Sequence, residues 1–165
     1  MKLLSKSLII GVSLAAMVAC SSNKEAATKV HEGHEAAGHV EKDLQEKTSS
    51  LQVLPKFLAN QREEIRMIYQ IAAANADLLQ WMPCYCGCGE SVGHQSNKNC
   101  FIKEVNKDGS VVWDDHGTRC GVCLNIALES AKLKKDGLAD KDIRAYIDGK
   151  YKSGFAKPTS TPMPL

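Results

Sequence analysis

The sequence predicts a mainly α-helical domain with one small β-hairpin, folded compactly around a cysteine and histidine cluster. Three observations lead there. Apolar residues recur at three- and four-residue spacing in the stretches before and after the middle of the chain. Two short β-prone runs flank Asn106-Lys107-Asp108-Gly109. Six of the seven cysteines fall between positions 84 and 123.

With 165 residues the chain has room for one domain. Residues 1–20 carry an early basic pair (Lys2, Lys6), an apolar run from Leu8 to Val18 and the small-residue end Val18-Ala19-Cys20. That is the layout of a signal peptide, and the run is too short for a mature membrane span. The segment around Cys20 resembles a bacterial lipoprotein processing site, which implies acylation of Cys20 and an extracytoplasmic, membrane-anchored protein; Met17 stands where such sites more often carry Leu. Residues 21–50 are small and polar, with too little apolar area to offset the entropy of ordering, so they are expected to form a disordered tether. The tether holds His31, His34 and His39, three imidazoles in nine residues, which suit either weak auxiliary metal capture or a solvated spacer.

The expected domain spans residues 51–156. From 55 to 82 the residues Leu58, Ile65, Ile68, Ile71, Ala72, Leu78 and Leu79 follow helix periodicity, with Pro55 suited to a first turn and Pro83 disfavouring helix at Met82. One long helix is therefore expected to lead to the first cysteines. Residues 84–99 are rich in Gly, Ser and Asn and read as loop. Residues 100–105 and 110–113 read as a hairpin, and a helix is expected to follow Asp114 and Asp115 and stop at Gly137. A last helix, at about 139–152, should turn Ile143, Tyr146 and Ile147 inward. The Pro/Thr-rich tail, residues 157–165, is not expected to form regular structure.

The chemistry is concentrated in Cys84-x-Cys86-x-Cys88, Cys100 and Cys120-x-x-Cys123, with His94 and His116 nearby. Along an extended strand, residues two apart sit about 6.6 Å from one another, too far for thiolates sharing one ion at about 2.3 Å. The first segment must curl, and Gly87 and Gly89 allow it. On a helix, His116, Cys120 and Cys123 would share one face.

An exported domain with six cysteines is also an ordinary setting for disulfides, with about fifteen pairings available. The tight packing of Cys84, Cys86 and Cys88 argues for metal instead, because a bridge stabilises most when it closes a long loop. One disulfide beside one metal site is a mixed case, and Cys120 with Cys123 would serve a thiol oxidoreductase. Thiolates select soft ions, and six with two imidazoles exceed the need of one tetrahedral zinc, so bridged Cu(I) is the leading reading and zinc the alternative. Met82 is a candidate auxiliary thioether, although a methionine ending an apolar helix more often belongs to the core. Trp81, Tyr85 and Trp113 are expected to wall the site.

Other classes lack support. The net charge of +2, with both signs intermixed, gives no basic surface for nucleic acid. Position 124 is Leu, which removes the haem attachment motif, and no βαβ setting surrounds Cys120-Gly121-Val122-Cys123. No phosphate loop or hydrolase grouping stands out, so an enzyme is not expected.

The run Pro83-Cys84-Tyr85-Cys86-Gly87-Cys88-Gly89-Glu90 resembles the signature of the bacterial lipoprotein family named for its PCYCGC motif. The similarity continues through Gly93-His94, Asn99-Cys100-Phe101-Ile102, Val112-Trp113-Asp114-Asp115-His116, Cys120-Gly121-Val122-Cys123 and Ile143-Arg144-Ala145-Tyr146-Ile147-Asp148. The resemblance implies an exported lipoprotein with a metal-binding motif, and does not name the metal. Together these readings lead to a lipid-anchored protein that sequesters Cu(I) or passes it to an envelope metalloprotein partner. The alternative is a small envelope interaction module held by disulfides or a structural zinc.

Overall fold

The computed structural model describes residues 42–165. The expected signal segment, the acylation site Cys20 and the histidines His31, His34 and His39 lie outside the described residues. Within them the fold is α-dominant with one small sheet. In chain order it comprises β1 (Gln45–Thr48), α1 (Glu63–Ala74), α2 (Ala76–Leu79), α3 (Cys88–Ser91), β2 (Ile102–Val105), β3 (Val111–Asp114), α4 (Gly121–Lys135) and α5 (Asp140–Tyr151). Among the described residues, no helix is long and apolar enough to cross a membrane.

The expected hairpin forms from β2 and β3, and Gly109 takes φ +82° in its connection. The sheet has a third strand, and its order is β1-β3-β2. Strand β1 pairs antiparallel with β3, placing Gln45 opposite Asp114 and Thr48 opposite Val111. This corrects the extent of the tether, whose last residues belong to the fold. Their short polar run carries no apolar pattern, and the ladder is held by backbone pairing and by Trp113 Nε1 donating to Thr48 Oγ1 at 2.8 Å.

The single long helix expected over 55–82 is also corrected. A 3-10 turn at Lys56–Leu58 is followed by a break, then α1, then a second break at Asn75 before α2. Asn75 Nδ2 donates to the Ile71 carbonyl at 2.8 Å, giving the backbone a local partner that competes with straight continuation. The apolar stripe nevertheless serves its purpose: Ile65, Tyr69, Ala72 and Ala73 are buried, and α1 packs on α4. Leu79 at the end of α2 and Met82 just beyond it are fully buried and bring the chain to Cys84.

Helix α4 ends as the sequence indicates. Gly137 has φ +92°, its N–H donates to Lys134 O at 3.0 Å and Leu138 N–H donates to Leu133 O at 3.1 Å, the paired bonds of a Schellman cap. Helix α5 buries Ile143, Ile147 and Tyr151, spaced by four residues. Tyr146, expected inside, is 46% exposed, because the stripe through Ile143 and Ile147 continues to Tyr151 instead.

The tail has no regular structure, yet it is docked. Cys84 N–H donates to Thr159 Oγ1 and Thr159 N–H to Cys84 O, both at 2.9 Å, while Ala156 N–H donates to Tyr85 O at 3.0 Å. Arg144, 9% exposed, ties the same region together: its Nη1 donates to the carbonyls of Trp81 at 2.9 Å and Pro162 at 2.8 Å. Its Nε meets Asp148, which also accepts from the Tyr85 hydroxyl at 2.7 Å. The cysteine loop is thus clamped from below by α5 and along its side by the tail.

Candidate metal centre

Gly87 gives the loop its curl, with φ +90°, a conformation that costs glycine little. Gly89 serves differently. Its φ is ordinary, but a Cβ there would lie 3.1 Å from Thr159 Cγ2, so it is needed for the tail's close approach. These two positions let Cys84, Cys86 and Cys88 turn toward one centre.

The opposite wall is not the single helix the spacing suggested. His116 lies in a 3-10 turn, His116–Thr118, Cys120 is the N-cap of α4, and Cys123 lies in its first turn. Gly117 makes this turn fit, because a Cβ would stand 2.7 Å from the Phe101 ring and 3.0 Å from Cys100 O. The three side chains still converge with the loop.

Among the described residues all six cysteines are unbridged. Cys84 Sγ lies 3.3 Å from Cys86 Sγ, 3.2 Å from Cys123 Sγ and 3.7 Å from Cys100 Sγ. Cys123 Sγ lies 3.1 Å from Cys100 Sγ and 3.6 Å from Cys86 Sγ, and Cys88 Sγ lies 3.9 Å from Cys100 Sγ. A disulfide needs about 2.05 Å, whereas sulfurs around one ion at about 2.3 Å are about 3.8 Å apart in a tetrahedron. The observed spacing is that of donors around ions, slightly contracted.

Four overlapping groupings made of cysteine and histidine alone bring candidate ligand atoms within 4.8 Å of one another: Cys86, His116, Cys120 and Cys123; Cys88, His94, Cys100 and His116; Cys84, Cys100 and Cys123; and Cys84, Cys86 and Cys88. The eight side chains singled out by the sequence therefore meet in one connected centre. Every sulfur except that of Cys120 belongs to two groupings. Met82 lies fully buried in the core cluster. Trp113 is fully buried as expected of a wall, while Trp81 is only partly buried.

Electrostatics favour a cation here. Hydrogen bonds from Cys100, Cys120 and Cys123 hold the Cys86 thiol far below its ordinary range, and bonds from Cys100 and Cys123 bring Cys84 down to about 4. Burial pushes Cys100 up, and the bond to Cys100 does the same to Cys123. The cluster thus keeps some thiols as thiolates by leaving others protonated, and a metal ion can replace those protons. Burial opposes the charged form of His116, but hydrogen bonds to Cys120 and Cys86 and the charges of Cys86 and Asp43 hold it up to about 11. Burial lowers His94, which favours the neutral imidazole a metal requires.

A ring of carboxylates orients both imidazoles. Asp43 lies 3.2 Å from His116 Nδ1 and 3.4 Å from His94 Nε2, leaving His116 Nε2 facing Cys86 Sγ and His94 Nδ1 facing Cys100 Sγ, each at 3.6 Å. Arg119 joins Asp43 to Asp115, and Asp115 accepts from Leu44 N–H at 2.8 Å. Asp114 accepts from His116 N–H and Gln45 Nε2, both at 3.0 Å. Asp43, Asp114, Asp115 and Arg119 were not among the expected site residues. Asp114 and Asp115 stand beside His116 in the sequence, a usable signal, whereas nothing local marks Asp43.

The arrangement can hold metal through sulfur and nitrogen, with carboxylates fixing the imidazole tautomers. No curated protein and no solved structure gives a significant match to the chain. Residues 8–164 match a family described as protein of unknown function with PCYCGC motif, and the chain belongs to that family.

Proposed function

We propose that this protein is an extracytoplasmic, lipid-anchored carrier that binds more than one Cu(I) ion, to sequester it or pass it to an envelope metalloprotein. One observation carries the reading: five of the six sulfurs are each shared between two ligand groupings. Shared thiolates suit Cu(I), a soft ion that accepts low coordination and bridging sulfur. Two closed zinc sites suit it less, because both four-ligand groupings claim His116. The Nδ1 of that residue already faces Asp43, so only Nε2 is available. Cys84 would also stand outside both.

The test is an anaerobic titration of the fully reduced mature protein with Cu(I), in competition with a chromophoric chelator. More than one ion bound per chain is the expected result. A single zinc that Cu(I) does not displace would overturn the reading in favour of a structural site. Six oxidised thiols in protein isolated without reductant would favour the disulfide-held module.

A further inference from the structure

The cluster is not equally enclosed on all sides. Cys84, Cys88, Cys100 and Cys123 are buried, at 1% exposure or less, and His94 is buried at 5%. The three half-buried ligands, Cys86, His116 and Cys120, fall together in one grouping. The two imidazoles differ in the same sense, with 17% of the His116 side chain exposed against 2% for His94. The groupings add an independent distinction. Cys120 belongs to a single grouping, so it is placed as a terminal donor, while the remaining cysteine sulfurs are placed to bridge.

The chain beside Cys120 is open to solvent. Arg119 has 51% of its side chain exposed, and Gly121 is exposed with nothing within 4 Å of where a Cβ would point. Cys120 is thus the half-buried candidate ligand with exposed neighbours on both sides along the chain.

Resting on the reading of the cluster as a Cu(I) carrier, we infer that its Cys86–His116–Cys120 edge is the face through which metal enters and leaves, and that Cys120 is the thiolate that exchanges first. The partner class follows from the chemistry: a metal-binding molecule that presents a soft donor, a thiolate or an imidazole. A lone pair of the incoming donor forms a new bond to the outermost ion. The Cys120 sulfur–metal bond breaks, its electron pair stays on Cys120, and the ion keeps its oxidation state. Cys86 and His116 are released in turn, while the bridged inner ions remain.

Two measurements test this. In the first, Cu(I)-loaded full-length protein is mixed with excess bathocuproine disulfonate under anaerobic conditions and the release is followed in time. Biphasic release is expected, with the fast phase lost in Cys120→Ser while the slow phase keeps its rate. Release in one phase, or a fast phase unchanged in Cys120→Ser, overturns the inference.

In the second, the reduced, metal-free wild-type protein is alkylated briefly and the modified cysteines are mapped by mass. Cys120 should react about ten-fold faster than Cys100, as exposure of the thiol dictates. Equal rates overturn the inference. Because this measurement needs neither a variant nor bound copper, it separates failure of the exchange face from failure of the copper reading itself.

Discussion

Both carboxylate oxygens of Asp43 lie 3.2 Å from Nδ1 of His116, a residue 73 positions further along the chain. The same side chain reaches His94, so one carboxylate sets the orientation of both imidazoles in the centre. A group just ahead of the first strand is therefore part of the site's architecture.

Replacing Asp43 with Ala should leave the helices intact and loosen both histidines. Partners of metal-bound histidine typically contribute about 10- to 100-fold in affinity. A chelator competition with Asp43→Ala is expected to show a loss in that range, with unchanged far-ultraviolet circular dichroism. Asp43→Asn, which keeps a hydrogen-bonding oxygen, should lose less.

Gly117→Ala tests the packing behind His116. The added methyl would meet the Phe101 ring at 2.7 Å, and neither the fully buried ring nor the Cys100 carbonyl can move freely. Overpacking of this kind costs about 1–3 kcal/mol, which urea unfolding of the reduced metal-free protein should register as a lower midpoint at an unchanged slope.

Metal uptake should release protons. Cys100 and Cys123 are held above their ordinary value, and His116 is held up to about 11, so all three carry protons at neutral pH. Each must lose its proton to bind an ion, so affinity should rise with pH and fall on acidification. A dye in weakly buffered solution should record acidification on each addition of metal. A pH-independent affinity between about 6 and 8 would contradict the account.

Thr159→Val keeps the shape of the tail and removes the oxygen that accepts the Cys84 N–H. A buried donor left without its partner costs about 1–3 kcal/mol. The expected outcome is that loss of stability, read by thermal unfolding, together with faster hydrogen exchange at the Cys84 amide.

Much of this arrangement is legible in the sequence because it is written locally. The helix stripes, the turn at Gly109, the stop at Gly137 and the clustering of the cysteines all depend on near neighbours. What escapes local reading is set by distant pairing. Gln45–Thr48 has no apolar pattern and becomes a strand because β3 offers it an edge. Asp43 joins the site because that strand begins beside His116, and Tyr146 turns outward because Tyr151 completes the buried face. The break at Asn75 lies between these cases, since the residue that causes it is visible but the apolar periodicity runs through it.

The clamp between Thr159 and Cys84 bears on the timing of biogenesis. A growing chain has all eight candidate ligands once Cys123 is made, but the loop that carries three of them is not secured until the tail follows. A chain still emerging from the ribosome would present a loose set of thiols, open to oxidation and to indiscriminate metals. The Thr159 segment therefore acts late, docking against the cysteine loop only after every candidate ligand has been made.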